Sequence, residues 1–431
     1  MTHDDAPGVR RVGIAGFGTV GRAVARILTS GLHPGLRLTH VYNRNIAAKR
    51  VDWVGPEVVW TESFDDLAAG QVDVVVELVG GVSPARDWIE RTLAGGTSVV
   101  TANKQLIAHA GPALVRQAHA AGVHLLFEAA VAGGIPIVRA LREGIAGDRL
   151  TRIRGILNGT CNYILTRMEA DQVSFEEALA EAQRLGYAEA DPTADVDGLD
   201  ARAKLAILIG VGFGCVARVE EIPTGSIAPI ASVDFVYARR LGCVIRQVAQ
   251  AELLADGSLR AAVRPALVSR GSALARVSGS QNIIVVKGEF GGETAYSGLG
   301  AGGDPTAVAV VSDLLGIARG TTVPTEPPFS TGASPRPVAQ EFETPHYIRF
   351  MIADRPGIIA AVADVFARHE VNVDAVLQEP GWSKATLPFV MTLESCGSAE
   401  VGAALREIET FDFHVRAPLW LPVLTDGEGA A

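Results

Sequence analysis

Cysteine is scarce in this chain, with four residues in 431 at positions 161, 215, 243 and 396 and no Cys-x-x-Cys pair. Cysteines this far apart argue against a disulfide framework and a structural zinc site, and they suit a reducing compartment. Positive charge is also in deficit. The 38 Lys and Arg face 48 Asp and Glu for a net charge of -10, which argues against nucleic acid or an anionic membrane as the main partner. No long apolar run exists. The most hydrophobic, residues 205–216, has about a dozen positions and contains glycines, too short to span a bilayer. The opening MTHDDAPGVRR has no apolar signal-peptide core, so a cytoplasmic protein is expected. What is present is a 48% hydrophobic composition. With mean hydropathy +0.24, that indicates compact folding and not disorder. At 431 residues, two or three domains are expected.

The first third alternates apolar strands and helical runs, as a doubly wound α/β sheet requires. Strands are expected at residues 11–15, 38–42, 72–77, 98–100 and 124–127. The first runs directly into Gly16, Phe17, Gly18, Thr19, Val20 and Gly21, followed by a helical segment. This is Gly-x-Gly-x-x-Gly between a strand and a helix. Gly16 permits the tight turn, Gly18 admits a pyrophosphate to the backbone, and Gly21 lets helix and strand pack closely. The helix N-terminus then offers N–H groups and partial positive charge to the phosphates.

The end of the second strand discriminates between dinucleotides. A carboxylate there would hold the ribose 2′-hydroxyl of NAD. This chain has Asn43, Arg44 and Asn45 instead, with Lys49 and Arg50 close by, and cations suit a 2′-phosphate. NADP is therefore expected in preference to NAD. Beyond Glu77, a glycine pair leads to Ser83 and Pro84 at a helix start, in the loop position where such sheets bind ligands. The next strand ends in Asn103 and Lys104, which places a lysine toward the nicotinamide. The glycine-rich stretch at 128–136 reads as a turn between domains.

From about residue 139 the pattern changes. Asn158 opens a helix, further elements are expected at 233–241 and 283–287, and residues 182–204 read AQRLGYAEADPTADVDGLDARAK. Here Glu189, Asp191, Asp195, Asp197 and Asp200 fall within a dozen positions. Lys204 follows Asp200 at i+4, on one face of an apolar helix that must be buried. A solvated acidic loop before a capped core helix would explain the acids but not the lysine.

The positions Ala182, Gly186, Tyr187, Asp191, Pro192, Asp195, Val196, Gly198, Asp200 and Lys204 together resemble the signature of the homoserine dehydrogenase family. Asn103-Lys104 and the stretch from Tyr296 to Thr306 with Gly303 are similar to other segments of that family. The resemblance implies NAD(P)-dependent interconversion of L-homoserine and L-aspartate 4-semialdehyde, on the branch toward threonine, methionine and isoleucine. It implies catalytic roles for Lys204, Lys104 and Asp200, and a substrate-ammonium role for Glu189, with Asp195 and Asn158 lining the pocket. It also implies a monovalent cation such as Na+ held by Glu128, Val131, Gly133 and Ile135, mostly through carbonyls, and a homodimer or homotetramer. A free lysine titrates near 10.4, and burial or a second ammonium pulls such a group toward neutrality. Either lysine could take the hydroxyl proton, or a charged lysine could stabilise the alkoxide while water takes it. Two rival readings are a silent amino-acid sensor and another semialdehyde dehydrogenase. An acylating enzyme would need a nucleophilic cysteine, for which only Cys161 is placed.

Residues 321–344 are rich in proline and small polar residues, the composition of a linker. The order β-α-β-β-α-β after it is ferredoxin-like, and Asp354-Arg355-Pro356-Gly357-Ile358 resembles the ACT domain, a module that binds amino acids. Threonine is the effector implied, held on helix N–H groups with Asp354 near its ammonium. The expected architecture is thus a Rossmann-type cofactor domain over 1–138 with a return segment at 301–320. An α+β substrate and dimerisation domain follows over 139–300, and an independent ACT unit over 345–431.

Overall fold

The computed structural model describes residues 8–322 and 335–424; Pro324, Pro327 and Pro328 of the expected linker lie outside them. The chain divides into two compact units. One comprises Met1–Ile153, Ala203–Glu221 and Val286–Pro337, the other Arg154–Arg202, Ile222–Val285 and Val338–Ala431.

In the first unit, β1 (Arg10–Ala15), β2 (Leu36–Tyr42), β3 (Val59–Thr61), β4 (Val74–Glu77), β5 (Ser98–Thr101) and β6 (Leu125–Leu126) form a parallel sheet. Its order is β3-β2-β1-β4-β5-β6, the doubly wound arrangement expected. Val12, Ile14, Val74, Val76, Val99 and Val100 are wholly buried, because helices cover both faces of such a sheet. The three residues of β3, too few to show a period, went unread in the sequence. The return segment forms a helix at Gly303–Arg319. Its Ala307, Val310 and Leu314 share a core with Val24 and Leu28 of the helix Thr19–Thr29.

The second unit is built on a mixed sheet to which β7 (Leu150–Ile156), β8 (Cys243–Leu253), β9 (Leu259–Ser269) and β10 (Gln281–Gly288) contribute. β8 and β9 pair antiparallel along eleven residues each. Ile245 faces one core with Ile164, Leu165 and Phe235 of the covering helices, while Val244 and Val248 face another, the period of two expected of a strand. The boundary between the units falls inside the helix Leu199–Phe213. That helix is apolar nearly all round and buried as its composition requires.

β11 (Glu293–Leu299) belongs to the first unit, and β12 (Val338–Ala339) pairs with β9 in the second. The C-terminal module then runs β13 (Glu343–Ile352), a helix at Ile358–Arg368, β14 (Val373–Leu377), β15 (Leu387–Gly397), a helix at Ser398–Ile408 and β16 (His414–Leu424). Its strand order β16-β13-β15-β14 is the expected ferredoxin-like one. Two expectations need correction. The linker stretch contributes the strand Val338–Ala339, and the C-terminal module is no independent body. Val423 and Leu424 of β16 pair with Leu267 and Val268 of β9, extending one sheet. A buried cluster ties the module down. Asp234 accepts from Tyr347 Oη at 2.7 Å and Arg349 Nε at 2.9 Å, and Arg349 Nη2 donates to the Pro229 carbonyl. Burial holds the Asp234 carboxyl above its usual range even against the Arg349 charge.

Candidate active site

The turn at 16–21 distinguishes its three glycines. Gly16 has φ of +109°, and a Cβ there would lie 2.8 Å from the Leu78 carbonyl. A Cβ on Gly21 would lie 2.1 Å from the Gly16 oxygen. Packing within the protein therefore demands both glycines. At Gly18 a Cβ would meet nothing within 4 Å, so packing within the chain does not demand a glycine there. Gly18 also precedes the helix Thr19–Thr29 without a side-chain cap. This is a cradle that fits a pyrophosphate. Phe17 is buried against Trp60, with ring centroids 4.8 Å apart, and holds the turn from beneath. Gly303 lies against Thr19, where a Cβ would meet the Thr19 methyl at 3.0 Å.

Beside that turn, a buried network absent from the sequence reading fixes the next two loops. Glu77 at the end of β4 accepts from the N–H groups of Val79 and Gly80 at 2.8 and 3.0 Å, and from Thr101 Oγ1 at 2.6 Å. Thr101 Oγ1 in turn accepts from the Asn103 N–H. Asn103 caps the helix Lys104–Ala120 through Leu106 N–H and donates to the Gly81 carbonyl at 2.6 Å. Lys104 thus sits on the first turn of a helix whose start is tied to β4 and β5. Ser83 lies exposed further along the same loop.

These loops border a cavity of about 280 Å³ at the carboxyl ends of β4 and β5. Val20, Leu78, Val79, Gly80, Asn103 and Thr306 line it, and so do Lys104 and Lys204. Only five lysines occur in the chain (Lys49, Lys104, Lys204, Lys287 and Lys384), and two of them share this cavity. Lys204 is 8% exposed.

The turn containing Val131, Gly133 and Ile135 forms another wall. Gly133 has φ of +53° and packs so closely on Gly300 that a Cβ would come within 2.7 Å of its carbonyl. The Glu128 carboxylate accepts from Val138 and Arg139 N–H, both at 2.8 Å, so it caps a helix. That leaves carbonyl oxygens as the candidate ligands of any ion here. Asp313 accepts from the Glu128 N–H at 3.0 Å. Burial, reinforced by the Glu128 charge, pushes the Asp313 carboxyl up to about 8.

In the second unit, Asn158 organises the acids. Its Oδ1 caps the helix Gly159–Asp171 at Cys161 N–H. Its Nδ2 donates to Asp195 at 2.7 Å and to Asp200 at 2.9 Å. One amide therefore holds two carboxylates together, and Asp200 stands one helical turn before Lys204. Glu189 is not in this cluster. It lies exposed, its carbonyl accepting from Gln183. Cys161 is buried, donates to the Asp195 carbonyl at 3.1 Å, and has its thiol pushed well up by burial. That is a packed structural cysteine, not a nucleophile. In the C-terminal module, Asp354, Pro356 and Gly357 form an exposed turn. Gly357 has φ of +95° before the helix that begins at the buried Ile358.

Arg44 is exposed after β2 and Lys49 half-buried, with its carbonyl accepting from Arg22. The fold adds an acid here that the local sequence does not contain. Glu62, just after β3, accepts from the Ile46 N–H at 3.0 Å.

Three family models match along the chain: homoserine dehydrogenase, NAD binding domain, over residues 16–128, homoserine dehydrogenase over 136–315, and ACT domain over 346–412. Among curated relatives, the homoserine dehydrogenase of Synechocystis is 37% identical, covering 96% of this chain and 99% of its own. That of Mycobacterium tuberculosis is 41% identical over 88% of each. The crystal structure of a homoserine dehydrogenase from Thiobacillus denitrificans superposes with a TM-score of 0.89 at 34% identity, covering 97% of this chain and 99% of that one. A hyperthermophilic archaeal homoserine dehydrogenase in complex with NADPH aligns with 73% of this chain and 98% of its own, at 28% identity and a TM-score of 0.62. A glycine cradle at β1, two lysines on one cavity and relatives matched over nearly their full length agree: the chain belongs to the homoserine dehydrogenase family.

Proposed function

We propose that the chain oxidises the C4 hydroxyl of L-homoserine to the aldehyde of L-aspartate 4-semialdehyde, and runs the reverse, with a nicotinamide cofactor on the turn at 16–21. The observation that carries this reading is the meeting of Lys104 and Lys204 on one cavity with Val20 and residues 78–80. When bound, the nicotinamide ring supplies the acceptor for the hydride leaving C4. The chain's own residues handle the proton. Lys204 receives it from the hydroxyl, and Lys104 stabilises the developing alkoxide. Asp200, one turn ahead on the same helix, orients Lys204. Glu189 is assigned the substrate ammonium, with Asn158 and Asp195 lining the substrate side. Silent amino-acid sensing is not favoured, because a sensor has no use for two lysines on a cavity beside a dinucleotide cradle.

Finer assignments belong to the same proposal. NADP is preferred to NAD, on the strength of Arg44 and Lys49 after β2; Glu62 nearby opposes this and narrows the preference. The NADPH bound to the archaeal relative supports the same choice. Carbonyls of Glu128, Val131, Gly133 and Ile135 hold a monovalent cation such as Na+, a reading supported by the engagement of the Glu128 carboxylate elsewhere. Threonine acts through the turn at Asp354, Pro356, Gly357 and Ile358. Residues 1–138 with 301–320 serve the cofactor, 139–300 the substrate and assembly as a homodimer or homotetramer, and 345–431 regulation, in the cytoplasm. The test is absorbance at the reduced-nicotinamide band with L-homoserine, offering NAD and NADP separately, with and without threonine. Turnover, faster with NADP and slowed by threonine, is the expected result. Folded protein that binds nucleotide without turnover would overturn it.

A further inference from the structure

β4 and β5 pair through buried valines, Val75 with Val99 and Val76 with Val100, but their last register pair is Glu77 with Thr101. Both of these residues are buried, at 1% and 0% exposure, and neither lines the cavity that holds Lys104 and Lys204. Packing one strand on the other needs only apolar side chains, as the preceding pairs show. A carboxyl group is costly to bury there unless its oxygens are engaged. The polar pair sits where the chain leaves the sheet for the two loops that do line the cavity.

The chemistry of the network gives it a direction. An ionised carboxylate has acceptors and no donor, and all three neighbours of Glu77 donate: the Val79 and Gly80 N–H groups and the Thr101 hydroxyl. Thr101 spends its one proton on Glu77 and turns a lone pair to the Asn103 N–H at 3.0 Å. Asn103 then accepts from the Leu106 N–H at 3.1 Å, capping the helix whose first residue is Lys104. An amide at position 77 would break this order. Its oxygen could still serve Val79 and Gly80, but its N–H would face Thr101 and leave the hydroxyl proton without an acceptor.

We infer that Glu77 is a positioning residue for Lys104, acting through Thr101 and Asn103 without touching substrate or cofactor, and that the position requires a carboxylate. The inference rests on the role given to Lys104 above.

Glu77→Gln and Thr101→Val test it in steady-state assays with L-homoserine, on variants whose melting curves show them folded. Each lowers kcat about tenfold to hundredfold, the scale of a catalytic group displaced by about an ångström. KM for the nucleotide is little changed, because the contacts of Val79 and Gly80 survive. The double variant loses no more than the worse single one, since both cut the same link. Thr101→Ser keeps the hydroxyl and keeps kcat. Hydrogen exchange gives a readout that turnover does not enter: the Leu106 N–H exchanges faster in Glu77→Gln and Thr101→Val, and at the parental rate in Thr101→Ser. Parental kcat in Thr101→Val overturns the inference, and so do losses that add fully in the double variant. Absence of homoserine turnover in the unmodified chain would defeat the reading of the reaction instead; unchanged exchange at Leu106 in Thr101→Val would then overturn this inference separately.

Discussion

The glycine turn at 16–21 and the acidic stretch at 189–204 are both short, and each is dense in one kind of residue, yet the fold treats them differently. Two glycines of the turn are demanded by packing within the protein, and the third, Gly18, borders open space. The acids of the second stretch separate. Asp195 and Asp200 gather on Asn158, while Glu189 and Asp191 stay exposed. A motif that works through backbone shape carries its geometry in the local chain, because only glycine accepts φ of +109° or a neighbour at 2.1 Å. A motif that works through side-chain charge acquires its geometry from whatever packs beside it.

Four measurements press on that contrast. The largest effect is expected at Lys204. Lys204→Ala lowers kcat by about 10²–10⁴, the usual contribution of a positioned proton-transfer group; unchanged turnover in steady-state assays would remove the lysine from catalysis.

Next comes the turn itself. Gly21→Ala forces backbone apart and destabilises the chain by about 1–3 kcal/mol, the ordinary cost of overpacking. Gly18→Ala leaves thermal stability unchanged and raises KM for the cofactor. Equal melting temperatures for the two variants would contradict the division of labour among the glycines.

Glu189→Gln should raise KM for homoserine about ten- to hundredfold with little change in kcat, since a hydrogen bond between charged groups is worth about 1.5–3 kcal/mol. An unaltered KM would detach this exposed acid from the substrate.

The smallest effect is a pH dependence at Asp313. Its carboxyl titrates near 8 when folded and near 3.8 in the unfolded chain, so between those values the folded state binds more protons. Stability from this group therefore falls as pH rises from about 4 to about 8. Asp313→Asn keeps an acceptor for the Glu128 N–H and removes the fall. Its melting temperature relative to the parent should rise by a few degrees from pH 5 to pH 8. A constant difference across that range would show that Asp313 does not titrate there.

Legibility varied within the fold for the same reason. β1, β4 and β5 could be read from their buried valine, isoleucine and alanine, and β2 and β6 from the apolar residues at 38–42 and 124–127. β8 could not, because it buries Arg246, Gln247 and Gln250. The ion pair of Arg246 with Glu169 at 3.0 Å and its hydrogen bond to the Ile245 carbonyl at 2.8 Å make that arginine tolerable inside. β3 was too short to show any period. The Glu77–Thr101–Asn103 network was also hidden, since three polar residues at two strand ends look solvent-exposed until the strands are laid side by side.

By itself the sequence determined the dinucleotide turn, the buried helix that carries Lys204, and the ferredoxin-like order of the C-terminal module. All three follow from local backbone preference and hydrophobic period. The tertiary structure decided what distance along the chain conceals. It placed Lys104 and Lys204 on one cavity, engaged the Glu128 carboxylate in a helix cap, and brought Glu62 to the turn after β2. It also merged the C-terminal module into the sheet of the second unit. These are pairings between residues far apart in sequence, and only the burial of apolar faces against one another selects them.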